Sequence, residues 1–449
     1  MGVQEREMSS SAGRRLLFLL LLSFLCFSVA YDPMDPDGNV TIKWDFIIFD
    51  GNHYTVLVSI YNYQLYRHIE IPGWRLGWTW PKHEAIWDMR GAESTNQGDC
   101  SRFKVSTLPH CCDPSPTIID LPLGAPYNFR TDNCCRGGVL SSLAQDPSHI
   151  QASFKMVIDS RNVTDEANPK PYNFTLGVPG YTCSNATKVA ASKFKTDTER
   201  TTQALLTWEV ICSYSQFRES ATPGCCVSLS TFYSSTIVSC PDCSCGCQGT
   251  PTSPLCLRDD EKYSRLKEQS SDSDGSQNPL LCTQHMCPIS VHWHVKVSYK
   301  DYWRVKMTIT NYNMNKNYSD WNLVLQHPNL RSLLQIFSFN YHPLLQYGSL
   351  NDTGVFWGIK YYNDMLLNYG DNGNVQSEML LHKDTEEFTF KGGWPFPRRI
   401  SFNGHDCVMP PPDLYPSLPK GYSLASSPLL PDVTVFLSTI FLSVVLVLL

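Results

Sequence analysis

Charge is scarce in this chain. Only 17% of its 449 residues are charged, and their balance leaves a formal net charge of −6. A nucleic-acid binder needs a basic footprint to displace counterions from phosphates, so nucleic acid is excluded as a partner. Long helical periods are also lacking, and 30 Pro with 26 Gly argue against a helical bundle. No GxSxG elbow, HExxH pair or phosphate loop is present, and nothing calls for a cofactor. Aromatics, by contrast, are plentiful. The 21 Phe, 11 Trp and 22 Tyr can build cores and are too many for a disordered chain. The 18 Cys are too many for a reducing compartment. The length suggests about two or three domains.

Both ends read as processing signals. Arg14 and Arg15 precede an apolar run from Leu16 to Val29, with small residues at Ser28 and Ala30. This is the pattern of a secretory signal peptide over residues 1–30, too short for a spanning anchor. The final stretch from Val433 to Leu449 has no charge and would reach only about 25 Å as a helix, less than a full span. Small residues (Ser423, Ala425, Ser426) lie upstream of it, followed by a short spacer. Together these form a GPI-attachment signal, with Ala425, Ser426 or Ser423 as the lipidated residue and 428–449 as the removed propeptide. The expected location is the extracellular face of the plasma membrane, with the anchor in its outer leaflet. Six N-glycosylation sequons fit that compartment: Asn39, Asn162, Asn173, Asn185, Asn317 and Asn351.

Adjacent cysteines occur at Cys111-Cys112, Cys134-Cys135 and Cys225-Cys226, and a cluster follows at Cys240, Cys243, Cys245 and Cys247. In a reducing compartment that cluster would suggest metal ligation. In an oxidising lumen disulfides are expected, with a connectivity the spacing does not define.

The chain contains a duplication. Residues Val40–Tyr63 align without gaps onto Ile289–Tyr312, so that Trp44 meets Trp293, Tyr54 meets Trp303 and Asn62-Tyr63 meets Asn311-Tyr312. Trp74 and Leu76 then meet Trp321 and Leu323. More weakly, Ile150-Gln151 resembles Val375-Gln376, and Phe174-Thr175 resembles Phe388-Thr389. Locally the pattern is that of strands: Tyr54, Val56, Val58 and Ile60 share one face, and Asp50-Gly51-Asn52 marks a hairpin turn. The fold class expected is all-β, two related β-sandwiches. The first spans 31–200 and the second 288–409. A cysteine-rich region at 201–247 and a linker at 248–287 lie between them. A Pro-rich stalk and GPI-attachment region follow at 410–427.

The first copy has rings that the second lacks. Trp74, Trp78 and Trp80 alternate along Gly73–Trp80, which on a strand places them on one face about 6.6 Å apart. Trp78 and Trp80 meet Leu325 and His327 in the second copy, and Gly73 and Gly77 leave the neighbourhood open. Aligned rings of this kind stack under the flat faces of pyranose sugars, each contributing on the order of 1 kcal/mol by analogy with aromatic pairs. The competing reading is an aromatic core, the usual fate of Trp. A glycosidase would need two positioned carboxylates. Glu84 and Asp88 are the one pair near the Trp segment, and they define the alternative reading, a glucan hydrolase or transglycosylase. His292 and His294 alternate around Trp293, too few for a metal site on their own.

These residues resemble the plant COBRA-like family of GPI-anchored cell-wall proteins, which includes the brittle-culm proteins of grasses. The likeness rests on Tyr31-Asp32-Pro33, Thr41-Ile42-Lys43-Trp44-Asp45, the Gly73–Trp80 segment, Gly98-Asp99-Cys100-Ser101 and, most specifically, the motif Cys225-Cys226-Val227-Ser228. The resemblance implies an N-terminal carbohydrate-binding module for cellulose, with Tyr54 and Trp80 engaging the glucan, and a role in cellulose deposition and oriented cell expansion. It implies a structural, disulfide-forming CCVS motif and no catalysis. With the pattern reading, the expected glucan-binding set is Tyr54, Trp74, Trp78 and Trp80.

Overall fold

A computed structural model describes residues 32–416 apart from 33, 52, 83, 160–169, 196–200, 216–223, 242–255, 258–281, 284–286, 314–315, 345–351 and 385–393. The expected signal peptide, the terminal apolar tail and the lipidated residue lie outside the described residues, as does the Ser/Asp-rich run 259–278. The chain divides into two compact units, 1–221 and 222–449. The described helices are short 3₁₀ turns, none long and apolar enough to cross a membrane.

The first unit packs two antiparallel sheets face to face. One contains β1 (Val40–Asp50), β2 (His53–Asn62), β4 (Ile86–Arg90), β7 (Gln151–Asp159), β9 (Tyr181–Cys183), β10 (Thr187–Val189) and β13 (Leu206–Tyr214). Its order is β10-β13-β1-β2-β7-β4, with β9 also on β13. The other contains β3 (Arg75–Thr79), β5 (Ala92–Ser94), β6 (Thr117–Asp120) and β8 (Tyr172–Thr175) in the order β5-β6-β3-β8. A small hairpin, β11 (Lys193–Lys195) with β12 (Thr201–Gln203), completes it. The alternation read from the sequence decides the faces. Val40, Ile42, Trp44 and Phe46 of β1, with Val56, Val58 and Ile60 of β2, are buried in the core, and Lys43 and Tyr61 point the other way.

The second unit opens with β14 (Cys225–Thr231). A two-residue pair follows, β15 (Cys256–Leu257) with β16 (Cys282–Thr283), and then β17 (Ile289–Ser298), β18 (Tyr302–Asn311), β19 (Leu323–Gln326) and β20 (Leu333–Ile336). The chain continues through β21 (Phe339–Leu344), β22 (Thr353–Gly358), β23 (Asn374–His382), β24 (Arg399–Phe402) and β25 (His405–Asp406). Its two sheets run β14-β17-β18-β23-β20 and β21-β22-β19-β24-β25.

The duplication is real at the level of register. The hairpin β1–β2 reappears 249 positions later as β17–β18, and a bulge between Phe46 and Ile48 recurs between Val295 and Val297. The repeated Asn closes the same corner twice. Asn62 is fully buried, and its amide donates to the carbonyls of Arg67 (2.8 Å) and Ser141 (3.0 Å). Asn311, equally buried, donates to those of Lys316 (3.1 Å) and Leu366 (3.2 Å). The later matches shift. Ile60 pairs with Ala152 as Ile309 pairs with Val375, so Val375 corresponds to Ala152 rather than Ile150. Phe388 lies outside the described residues, and by register Thr175, opposite Gly77, corresponds to Ser401, opposite Val324.

The expected boundaries also move. Residues 206–212 pair with β1 in the first sandwich, and Cys225–Thr231 is a strand of the second, parallel to β17. The interval read as a separate cysteine-rich region is therefore divided between the sandwiches. Tyr415 packs on Phe396 at 5.3 Å, so the chain stays on the second unit past 410, where the stalk was expected to begin. Disulfides link Cys100–Cys112, Cys134–Cys135, Cys183–Cys212, Cys225–Cys407 and Cys226–Cys240, leaving Cys111 as a free, buried thiol among the described residues. Both cysteines of the CCVS motif are thus bonded, one of them across 182 residues.

Candidate functional site

The four expected glucan-binding aromatics are core residues. Tyr54, Trp74, Trp78 and Trp80 are each at most 3% exposed and belong to the cluster between the two sheets of the first unit. Trp74, Leu76, Trp78 and Trp80 all lie in one core cluster, on the face that meets the opposing sheet. Nor are the rings coplanar. Trp78 and Trp80 meet edge to face (5.4 Å, 86°), and each does the same to Trp44. Their second-copy counterparts Leu325 and His327 are wholly buried too, so the extra indoles fill volume. Tyr54 lies against Phe46 and Phe49, and burial, with nearby Glu84, pushes its phenol well above the ordinary range. The glycines close the neighbourhood instead of opening it. A Cβ on Gly73 would sit 2.1 Å from the carbonyl oxygen of Gly137, and one on Gly77 would sit 2.6 Å from the Thr175 hydroxyl.

Glu84 and Asp88 occupy different environments. Glu84 is buried and accepts a hydrogen bond from the backbone of Lys82 at 2.9 Å. Asp88 is exposed beside Arg90 at 3.7 Å. One is enclosed and the other is in solvent, so no facing acid and base result.

A different aromatic pair reaches water. Tyr61 points to the outer face of the large sheet, and Tyr63 continues the same side just past the end of β2. Their rings are parallel to within 1°, with centroids 5.6 Å apart, and Tyr63 is 39% exposed. Polar groups frame the pair. Gln151 donates to the Tyr61 hydroxyl at 3.3 Å, and the Lys43 ammonium lies 5.8 Å from the Tyr61 ring centroid. Partial burial raises both phenols, helped by Asp45 at Tyr61 and by Glu209 at Tyr63, so both stay protonated donors at neutral pH. Parallel rings bordered by an amide, an ammonium and a carboxylate are the arrangement that apposes sugar C–H faces and hydrogen-bonds their hydroxyl edges. The sequence carried a signal for Tyr61. It has the opposite parity to the core run Tyr54–Ile60, and its second-copy counterpart is Thr310.

Of the sequons, Asn173, Asn185 and Asn317 are exposed, Asn39 is half-buried, and Asn162 and Asn351 lie outside the described residues. Asn39 adjoins the tyrosine pair, its carbonyl accepting from the Tyr63 backbone at 2.9 Å. Among the described residues no group of three or more His, Cys, Asp or Glu is placed to hold a metal.

The COBRA N-terminal domain family matches residues 54–215, and the COBRA family C-terminal domain matches 224–416. COBRA-like protein 7 of Oryza sativa subsp. japonica is 56% identical over 416 residues, covering 90% of this chain and 93% of that protein. COBRA-like protein 1 of Arabidopsis thaliana is 55% identical over 414 residues, 91% of each. Protein COBRA of Arabidopsis thaliana is 51% identical over 432 residues, 94% of each.

Proposed function

The chain belongs to the COBRA family, and from that premise we propose a non-catalytic cell-wall protein that binds cellulose or a related β-glucan. A GPI anchor holds it at the outer leaflet of the plasma membrane. There it takes part in cellulose deposition, microfibril organisation and oriented cell expansion. The observation that carries this reading is the parallel Tyr61–Tyr63 pair, half-buried at Tyr61 and exposed at Tyr63, on the outer face of the first sandwich. Two rings supply only about 2 kcal/mol between them, by analogy with aromatic pairs. Such weak contact suits a tethered protein, because confinement beside the nascent polymer raises the effective concentration of binding sites. An uncharged polymer gives no electrostatic steering, so retention should depend little on salt.

A pull-down on microcrystalline cellulose tests this. Wild-type protein is retained, and the folded Tyr61→Ala/Tyr63→Ala double variant is not; equal retention of the two removes the proposed surface. Incubation with cello-oligosaccharides, yielding no new products, separates this reading from the hydrolase built on Glu84 and Asp88.

A further inference from the structure

We propose that the outer face of the second sandwich binds a carboxylate-bearing polysaccharide, a polyuronate, at a site separate from the tyrosine pair. The duplication makes the comparison position by position. Where the first unit presents Lys43, Thr55 and Leu57, the second presents His292, Arg304 and Lys306; at the position of His294 the first unit has Asp45, which is buried. Lys155 of the first unit corresponds to Glu378. The same scaffold thus moves its cations: the first unit carries them at Lys43 and Lys155, the second at Lys296, Arg304 and Lys306 grouped around Glu378, within a chain whose net charge is −6.

The only carboxylate that these strands place among the cations is already engaged. Glu378 takes Lys296 on one oxygen and Arg304 on the other, each at 2.6 Å. Lys306 sits directly across from Glu378 in register and forms no ion pair among the described residues. Beside Lys306 runs a hydrogen-bonded chain of neutral groups. The Ser228 hydroxyl meets His292 Nδ1 at 2.6 Å, and Ser230 bridges His292 Nε2 (2.8 Å) to His294 Nδ1 (2.7 Å). Each link needs one proton, so the neutral chain has two polarities, and His294 Nε2 is either a donor or an acceptor at its outer end. Ser290, Thr308, Thr310 and Gln376 fill the rest of the face with groups that hydrogen-bond sugar hydroxyls. A row of cations set among hydroxyls and an amide matches a polymer with one carboxylate and several hydroxyls per unit. An anionic lipid surface would leave those polar groups without matching partners.

The groups facing the two imidazoles are Lys296 on their own strand, Arg304 and Lys306 on β18, Glu378 on β23 and the serines of β14. Burial first, then His294 and Lys306 at His292 and Lys306 and Lys296 at His294, hold both histidines below their ordinary range. A bound polyanion reverses the lysines' effect, so binding takes up protons and tightens as pH falls from 7 to 5. Uronate carboxyls stay ionised above about pH 4.

The test measures retention of the full chain on polygalacturonate, on its methyl ester and on phosphatidylserine-containing vesicles, at pH 5 and 7 and at two salt concentrations. The expected result is salt-sensitive retention on the free acid alone, stronger at pH 5 and at least tenfold weaker in Lys306→Glu. Lys306 is partly exposed, so this variant folds. The Tyr61→Ala/Tyr63→Ala variant keeps polyuronate binding, which separates failure here from failure of the glucan reading. Equal retention on the ester, or none on the acid, overturns the proposal. So does indifference to Lys306→Glu, or stronger binding to the vesicles.

Discussion

Trp78 and Trp80, two residues apart on one strand, meet edge to face at 5.4 Å in the interior of the first sandwich. Alternate residues of a strand share a side, and here that side is covered by a second sheet. The pair therefore holds the sandwich together, and the proposed contact with polymer falls to residues of opposite parity on the other sheet.

Substitution separates the two roles. Trp78→Ala or Trp80→Ala removes a buried indole and should cost roughly 3–5 kcal/mol of stability. Tyr61→Ala should cost about 1 kcal/mol or less, because its ring is partly solvated. Denaturant titration combined with the cellulose pull-down checks the crossover. Loss of retention in a Tyr61→Ala protein of unchanged stability is the outcome expected, and an unperturbed Trp78→Ala midpoint would contradict the packing.

The duplicated asparagines should behave alike. Asn62→Ala leaves the carbonyls of Arg67 and Ser141 without their donor, and Asn311→Ala does the same to those of Lys316 and Leu366. Each substitution should cost about 2–4 kcal/mol, since buried carbonyls left unpaired carry their full desolvation penalty. Chemical denaturation of the two variants gives the numbers. A loss confined to one of them would mean that the corner is not used equally.

Acid should act on the two units with opposite signs. Burial raises the Asp35 carboxyl to about 6, so the folded state holds its proton longer than the unfolded chain does. That contribution is complete below about pH 4 and falls away as pH rises to 6, by up to about 3 kcal/mol. Burial lowers His327 to about 3, so the unfolded state binds the extra proton. Its contribution is complete above about pH 6.5 and is lost on acidification toward 3. Stability measured from pH 4 to 7 should therefore lose its downward component in Asp35→Asn and its upward component in His327→Asn. Parallel pH profiles for wild type and both variants would count against this assignment.

Asn39 borders the tyrosine pair through its backbone bond to Tyr63. A glycan there covers part of the face, so Asn39→Gln, or enzymatic deglycosylation, should raise cellulose retention. The comparison belongs in a host that glycosylates the chain, with Asn317→Gln, on the other unit, as the control that leaves retention unchanged.

Much of the fold was legible because strand alternation and duplication are local properties. The run from Val40 to Phe46 declares its core side by residue type alone, and Asn62-Tyr63 recurring as Asn311-Tyr312 marks one corner built twice. The cysteine-rich interval misled because β13 and β14 lie close together in sequence while each pairs with a strand remote from it. The tyrosine pair is marked in the sequence by parity alone, which places Tyr61 opposite the core run, while its ring contact with Tyr63 forms only in the folded sheet.

The sequence by itself determined that the chain is all-β, doubled and built for an oxidising compartment, since these follow from periodicity, self-similarity and cysteine usage. Only the tertiary structure decided which side of Gly73–Trp80 is covered, which cysteines join, and that Lys296, Arg304 and Lys306 gather around Glu378 on one outer face. The reason is physical: a strand's two sides are equivalent until another sheet buries one of them, and the residues that do so are far away in the chain.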